Sequence, residues 1–172
     1  MRLYIKQKIF SWGDSFSVYD ENGDTQYTVE GEVFTFGKKL HLYDRSNREI
    51  AYIEQQLFAF LPRYVIYRGD TAVAEVVKEF TFFHPEYTVE GPGWHVQGDF
   101  FDHDYSVTDT NGHNVASVEK EWFTLGDAYC IDIAPEADFV TALAVVLVID
   151  ACIDAQRRNG DQYEKVLSSS SE

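Results

Sequence analysis

The chain is poor in cysteine, poor in basic charge and, until its last forty residues, without any helical pattern. Its 172 residues include two cysteines, Cys130 and Cys152. Two are too few for a disulfide framework, and they fit a reducing compartment as buried small apolar residues. Lys and Arg number 14 against 29 Asp and Glu, a formal net charge of −15. Nucleic-acid binding needs a basic footprint. The pairs Lys38–Lys39 and Arg157–Arg158 are isolated, so no nucleic-acid partner is expected. The N-terminal residues Met1–Lys6 lack the apolar region of a signal peptide. The expected location is the cytoplasm, with a peripheral position on a membrane left open.

Reaction signatures are also missing. There is no Gly-x-Ser-x-Gly elbow and no phosphate-cradling glycine loop. Asp20–Asp24 has the look of a calcium loop, but its glycine is fourth rather than sixth. It reads as a hairpin tip. Asp102–His103–Asp104 lacks further ligands at metal spacing and reads as a polar turn between Phe100–Phe101 and Tyr105. No catalytic residue, metal or cofactor is expected, and the chain reads as a non-enzyme.

What is present is one very apolar helix. Phe139–Ile149 has no polar face at any helical phase, and a helix apolar all round belongs in a core. Pro135 suits a first turn, Glu136 and Asp138 suit a helix N-terminus, and Arg157 and Arg158 followed by Gly160 suit its end. These signals predict a helix over about 135–158. The uncharged run stops at Asp150, short of the ~20 residues that a bilayer span needs, so no transmembrane span is expected. Asp150 and Asp154 are four apart, which on a helix puts like charges on one face. Either both face water where the helix leaves the core, or Asp150 is partly buried and caps strand-end backbone groups.

Upstream, alternating apolar runs are broken by polar turns at Asp20–Gly23, Asp44–Asn47, Arg68–Asp70 and Asp109–Gly112. Asn-Gly and Gly-Asp at such tips accept positive φ, which is hairpin chemistry. Positions 20, 44 and 68 are evenly spaced, and Tyr27–Gly31 recurs letter for letter as Tyr87–Gly91. The pattern predicts a meander of about twelve strands in two similar halves. Closing that sheet removes its edges. A barrel of that size is too wide for its own side chains to fill, and the helix is the available plug.

The opening Tyr4–Lys8 with Asp14–Asp20, the Tyr27–Gly31 strand and the Phe139–Ile149 helix followed by Asp150 come in an order that resembles the LURP-one-related (YxjI-type) family of the tubby C-terminal-like superfamily. The resemblance implies a mainly β fold: a closed antiparallel barrel of about twelve strands around a central C-terminal hydrophobic helix. It implies one domain over 1–160, with a polar tail over 161–172. Leu143, Val145, Val146 and Ile149 would face the barrel interior. The family implies no reaction. The function expected is a non-enzymatic binding or interaction module, with a protein or a lipid head group as partner. The alternative is a membrane-associated, phospholipid-binding or scramblase-like protein. Tubby domains hold phosphoinositides with clustered basic side chains. The nearest equivalents here are Lys6, Lys8, Lys38 and Lys39, which would converge if the first strand lay beside the hairpin containing Gly37. With so few basic residues, binding to phosphoinositide vesicles is not expected.

Overall fold

A computed structural model describes residues 1–6, 15–33, 35–79, 81, 85–121 and 128–169, with side chains described as far as 156. Lys8 lies outside the described residues.

Twelve strands form a closed antiparallel barrel. They are β1 (Arg2–Lys6), β2 (Ser15–Tyr19), β3 (Thr25–Gly31), β4 (Lys39–Asp44), β5 (Glu49–Gln55), β6 (Arg63–Arg68), β7 (Thr71–Lys78), β8 (Tyr87–Glu90), β9 (Trp94–Asp99), β10 (Asp104–Thr108), β11 (Asn114–Glu121) and β12 (Ala128–Ile133). Each strand pairs with its neighbour in sequence, and β1 closes the ring against β12, with Leu3 opposite Ile131. The alternation seen in the sequence sets the facing. Leu40 and Leu42 of β4 and Tyr64 and Ile66 of β6 point inward, while their neighbours point out. Closure removes the exposed backbone edges that a sheet of this size would otherwise present.

The meander gives the barrel two different ends. At one end the hairpin turns are two to five residues long. Three share one design: Asp20, Asp44 and Asp109 each accept backbone N–H bonds from the residues two and four further on. Gly23, Asn47 and Gly112 supply the positive φ that each of these turns requires. Asp20–Asp24 is thus a hairpin tip. At the opposite end most connections are longer, including 32–38, 56–62 and 79–86.

The helix, α1 (Phe139–Ser169), starts at the short-turn end and runs through the barrel toward the long-loop end. Asp138 caps it: its carbonyl accepts from Ala142 N at 2.9 Å and its carboxylate from Thr141 Oγ1 at 3.0 Å. Every residue from Ala142 to Ile149 is fully buried, Leu143, Val145, Val146 and Ile149 among them. Phe139–Gln156 is long and apolar enough to cross a membrane, but most of it is buried inside the barrel.

Three details differ from the sequence reading. Pro135 and Glu136 precede the helix, because Asp138 makes the capping bonds. The helix does not stop at Gly160 but runs to Ser169, into the stretch read as a polar tail. A glycine inside a helix costs only about 1 kcal/mol relative to alanine, so it ends a helix only where the next residues favour a turn. The two copies of Tyr-Thr-Val-Glu-Gly are not equivalent either. Tyr27–Gly31 lies in β3, running toward the long-loop end, whereas Tyr87–Glu90 forms β8, running the other way. Gly91 opens a tight turn at φ +98°, where a Cβ would sit 2.7 Å from the Val73 carbonyl oxygen. The echo is local sequence and does not mark two halves.

Candidate functional site

The short-turn end is built of satisfied turns and a capped helix. The long-loop end has two features that packing alone does not require: polar side chains inside its mouth and hydrophobic ones outside it.

Inside, β6, β8, β10 and β12 all start at this end. Each places a tyrosine inward in its first two residues: Tyr64, Tyr87, Tyr105 and Tyr129. They form a collar around the helix near Asp150 and Cys152. Tyr64 and Tyr87 hydrogen-bond with the Cys152 thiol, and burial pushes that thiol up to about 11. Burial and then the nearby Asp150 carboxylate hold Tyr105 and Tyr129 far above the ordinary tyrosine range.

His103 completes the collar from the β9–β10 connection. It is buried, with a left-handed backbone at φ +52°. Its Nε2 lies 3.1 Å from Asp150 Oδ1, and its ring stacks on Tyr129 with centroids 4.7 Å apart. Beside it Phe100 packs against Tyr87 and Tyr105. The connection can fold inward because β9 and β10 approach closely at Gly98. A Cβ there would lie 2.4 Å from the Asp104 carbonyl oxygen.

Two sequence readings are corrected at this point. Asp150 does not face water: it is buried, and among the described residues its side chain is paired with His103 rather than with strand-end backbone. His103 is not the middle of a solvated turn, although Asp102 beside it accepts solvent exposure in the ordinary way. Sequence alone gave no hint of the pairing, because the partners are 47 residues apart. Of the collar positions, 105 and 129 are 24 apart, the spacing of the hairpin repeat. Chemically, the His103–Asp150 pair ties a loop to the core helix. Its two side chains are 3 % and 10 % exposed.

Outside the mouth stand the exposed hydrophobic residues. Val33 and Phe36 lie on the β3–β4 connection, Leu57, Phe58 and Phe60 on β5–β6, and Phe101 on β9–β10. Phe36, Phe58 and Phe60 are each more than 90 % exposed. The first two connections touch, since a Cβ on Gly37 would sit 3.3 Å from Leu57 Cδ2. A cleft of about 510 Å³ beside Phe101 is lined by Pro85, Glu86, Gln97, Gly98, Asp99 and Phe100.

Among the described residues, Lys6 stands apart from Lys38 and Lys39. Lys6 sits on β1 over the Tyr19 ring. Lys39 starts β4, three strands further round, between Glu32 at 3.9 Å and Glu54 at 3.7 Å. Strands β2 and β3 separate β1 from β4 by roughly 14 Å at the usual strand spacing. The first strand therefore does not lie beside the Gly37 hairpin. Lys38 and Lys78 both stand near Cys152 at the long-loop mouth, close enough for their charge to favour the thiolate. Among the described residues there is no group of three or more His, Cys, Asp or Glu side chains suited to a metal ion.

The LURP-one-related family model matches residues 1–150, the whole barrel and the helix as far as Asp150. The chain belongs to the LURP-one-related family. It is 38 % identical over 151 residues to the uncharacterized protein YxjI of Bacillus subtilis (strain 168), a match covering 87 % of this chain and 92 % of that one. The X-ray structure of a protein from Arabidopsis thaliana has the same fold, with a TM-score of 0.64 at 16 % identity. The match covers 88 % of this chain and 91 % of that one. This family member thus ends its matched region at the residue that pairs with His103.

Proposed function

We propose that this LURP-one-related protein is a non-enzymatic interaction module of the cytoplasm. It meets its partner, a protein or a lipid surface, with the long-loop end of its barrel. One observation carries the reading. Apart from Met1, every large hydrophobic side chain exposed among the described residues lies on a connection at that end. Isolated exposed apolar residues are ordinary, but several gathered on one face mark a contact surface. The rest of the molecule supports a scaffold role. The helix fills the interior, and the buried His103–Asp150 pair fixes a loop rather than facing a substrate.

A photo-crosslinking amino acid placed at Phe58 in the source cell tests this against one placed at Asn111, on a short-turn tip. A discrete adduct from position 58 alone is the expected result. Equal adducts from both positions, or none from position 58, would remove the long-loop end as the working face.

A further inference from the structure

One seam of the barrel stands open at the long-loop end. The pairing of β8 with β9 runs from Val89–Trp94 to Tyr87–Val96 and stops there. β9 goes on pairing with β10 through Gln97–Ser106, Gly98–Tyr105 and Asp99–Asp104. Among the described residues, the last three of β9 thus have a strand on one side only. The chain before β8 stays with β7 instead, where Glu79 N donates to the Glu86 carbonyl at 2.8 Å. Pro85 has no N–H with which to extend the ladder toward β9. Successive strand residues turn their backbone groups to alternate sides. At least one of Gln97, Gly98 and Asp99 therefore presents its N–H and C=O to the gap. The 510 Å³ cleft lies in this gap, with Pro85 and Glu86 on one wall and the end of β9 on the other.

The walls of the cleft have a definite chemistry. Phe101, about half exposed, and Pro85 make it partly apolar. Glu86 and Asp99 line it and are exposed, and Asp102 and Asp104 are exposed just beyond. The surrounding sequence does not offset them, because residues 79–119 contain eight acidic residues and no Lys or Arg. This region repels anions. An open strand edge beside side-chain pockets is the arrangement by which a sheet takes up an extended peptide as an added strand. The carboxylates select which strand can come: they discourage pairing with a second copy of this acidic chain and favour a basic segment.

From this we infer that the open β8–β9 seam is a peptide-docking site. It takes a basic, extended segment of a partner protein as an added strand along Gln97–Asp99. Side chains of an extended segment alternate in direction. A segment alternating basic and apolar residues therefore meets both the carboxylates of Glu86 and Asp99 and the apolar wall at Phe101. This rests on the long-loop end being the contact face, and it specifies the partner's chemistry there. Backbone pairing carries the binding, while charge sets which segment is accepted.

The test is fluorescence anisotropy of the full chain with a set of labelled peptides of about seven residues. The peptides alternate Lys or Arg with Val, Leu or Phe. At least one is expected to bind with a Kd below about 1 mM at physiological salt. It should slow amide hydrogen exchange at Gln97, Gly98 or Asp99 and leave Asn111 unchanged. Methylating alternate peptide nitrogens keeps the charge but removes the donors on one edge. In one of the two possible phases this should weaken binding about tenfold. Phe101→Ser should weaken it about tenfold and Glu86→Gln about threefold, each with an unchanged melting temperature. Binding that survives methylation in both phases is charge attraction alone and overturns the inference. A full set of peptides that does not bind overturns it too. If no peptide binds while a protein adduct still forms from position 58, the seam is wrong and the contact face stands. If neither occurs, both fail.

Discussion

The two ends of this barrel are built from the same strands and the same helix, yet they follow different rules. At the short-turn end, aspartates close the turns on themselves and Asp138 closes the helix, so these carboxylates find backbone or side-chain partners within the next few residues. At the long-loop end the partners are distant in sequence. His103 reaches Asp150, and tyrosines from four strands surround Cys152 and Asp150. Hydrophobic residues stand in water instead of in the core. Stability is therefore concentrated in the interior and the short turns, while the exposed long loops are where side chains can change without disturbing the fold.

The sharpest way to test that division is to strike the interior shared by both ends. Val146 is fully buried on the helix, and Val146→Asp puts an unpaired charge there. The expected loss is several kcal/mol, enough to prevent folding. A soluble variant with the wild-type melting temperature would mean that the helix is not core.

Next is the buried pair at the long-loop end. His103→Leu leaves Asp150 buried without its imidazole, at a cost of about 3 kcal/mol by denaturant unfolding. His103→Leu/Asp150→Leu removes both partners and should be less damaging than the single change. Equal losses would show that packing against Tyr129, not the pairing, is what His103 provides.

At the short-turn end, Asp138→Ala removes the helix cap and the contact with Arg68 at 3.1 Å. The expected loss is about 1 kcal/mol. A loss as large as that of His103→Leu would erase the contrast between local and distant partners.

A smaller effect tests the barrel wall. His41 lies between Glu49 at 2.6 Å and Glu32 at 2.8 Å. Partial burial opposes its charge, but the two carboxylates outweigh it, and its pKa lies above the ordinary histidine value. A raised folded-state pKa stabilises fully below the unfolded value of about 6.5. That stabilisation is lost as pH rises through the folded value. The melting-temperature gap between wild type and His41→Gln should thus be widest near pH 5.5 and shrink above neutrality. The pair is partly solvent-exposed, so the effect should stay below ~1 kcal/mol. A gap that widens with pH would reverse the sign.

The smallest expected change in stability is at the loop tips. Phe58→Ser/Phe60→Ser should shift unfolding by no more than about 0.5 kcal/mol, since neither ring is buried. A marked loss would mean that these loops support the fold, and the two ends would then not differ as described.

The 24-residue hairpin spacing, the alternation in each strand and the apolar helix made a closed barrel around a helix legible in the sequence, because each is a local signal. The turn aspartates and the buried Val145 and Val146 belong to the same class: their identity and their neighbours in sequence decide their environment. What tertiary structure alone decided is the long-loop end. Asp150 looks solvated in sequence because an acid after an apolar run usually marks the exit from a core, and His103 looks like part of a polar turn between two acids. Only barrel closure, which carries the β9–β10 connection across the path of the helix, puts them 3.1 Å apart. The helix end was misread for a related reason: a glycine stops a helix only if the surroundings take the chain elsewhere. The exposed phenylalanines carry no mark of exposure in the sequence, since Leu57–Phe60 is as apolar as a strand that faces the core. Whether an apolar residue is buried depends on what the fold brings over it, and over these loops the barrel brings nothing.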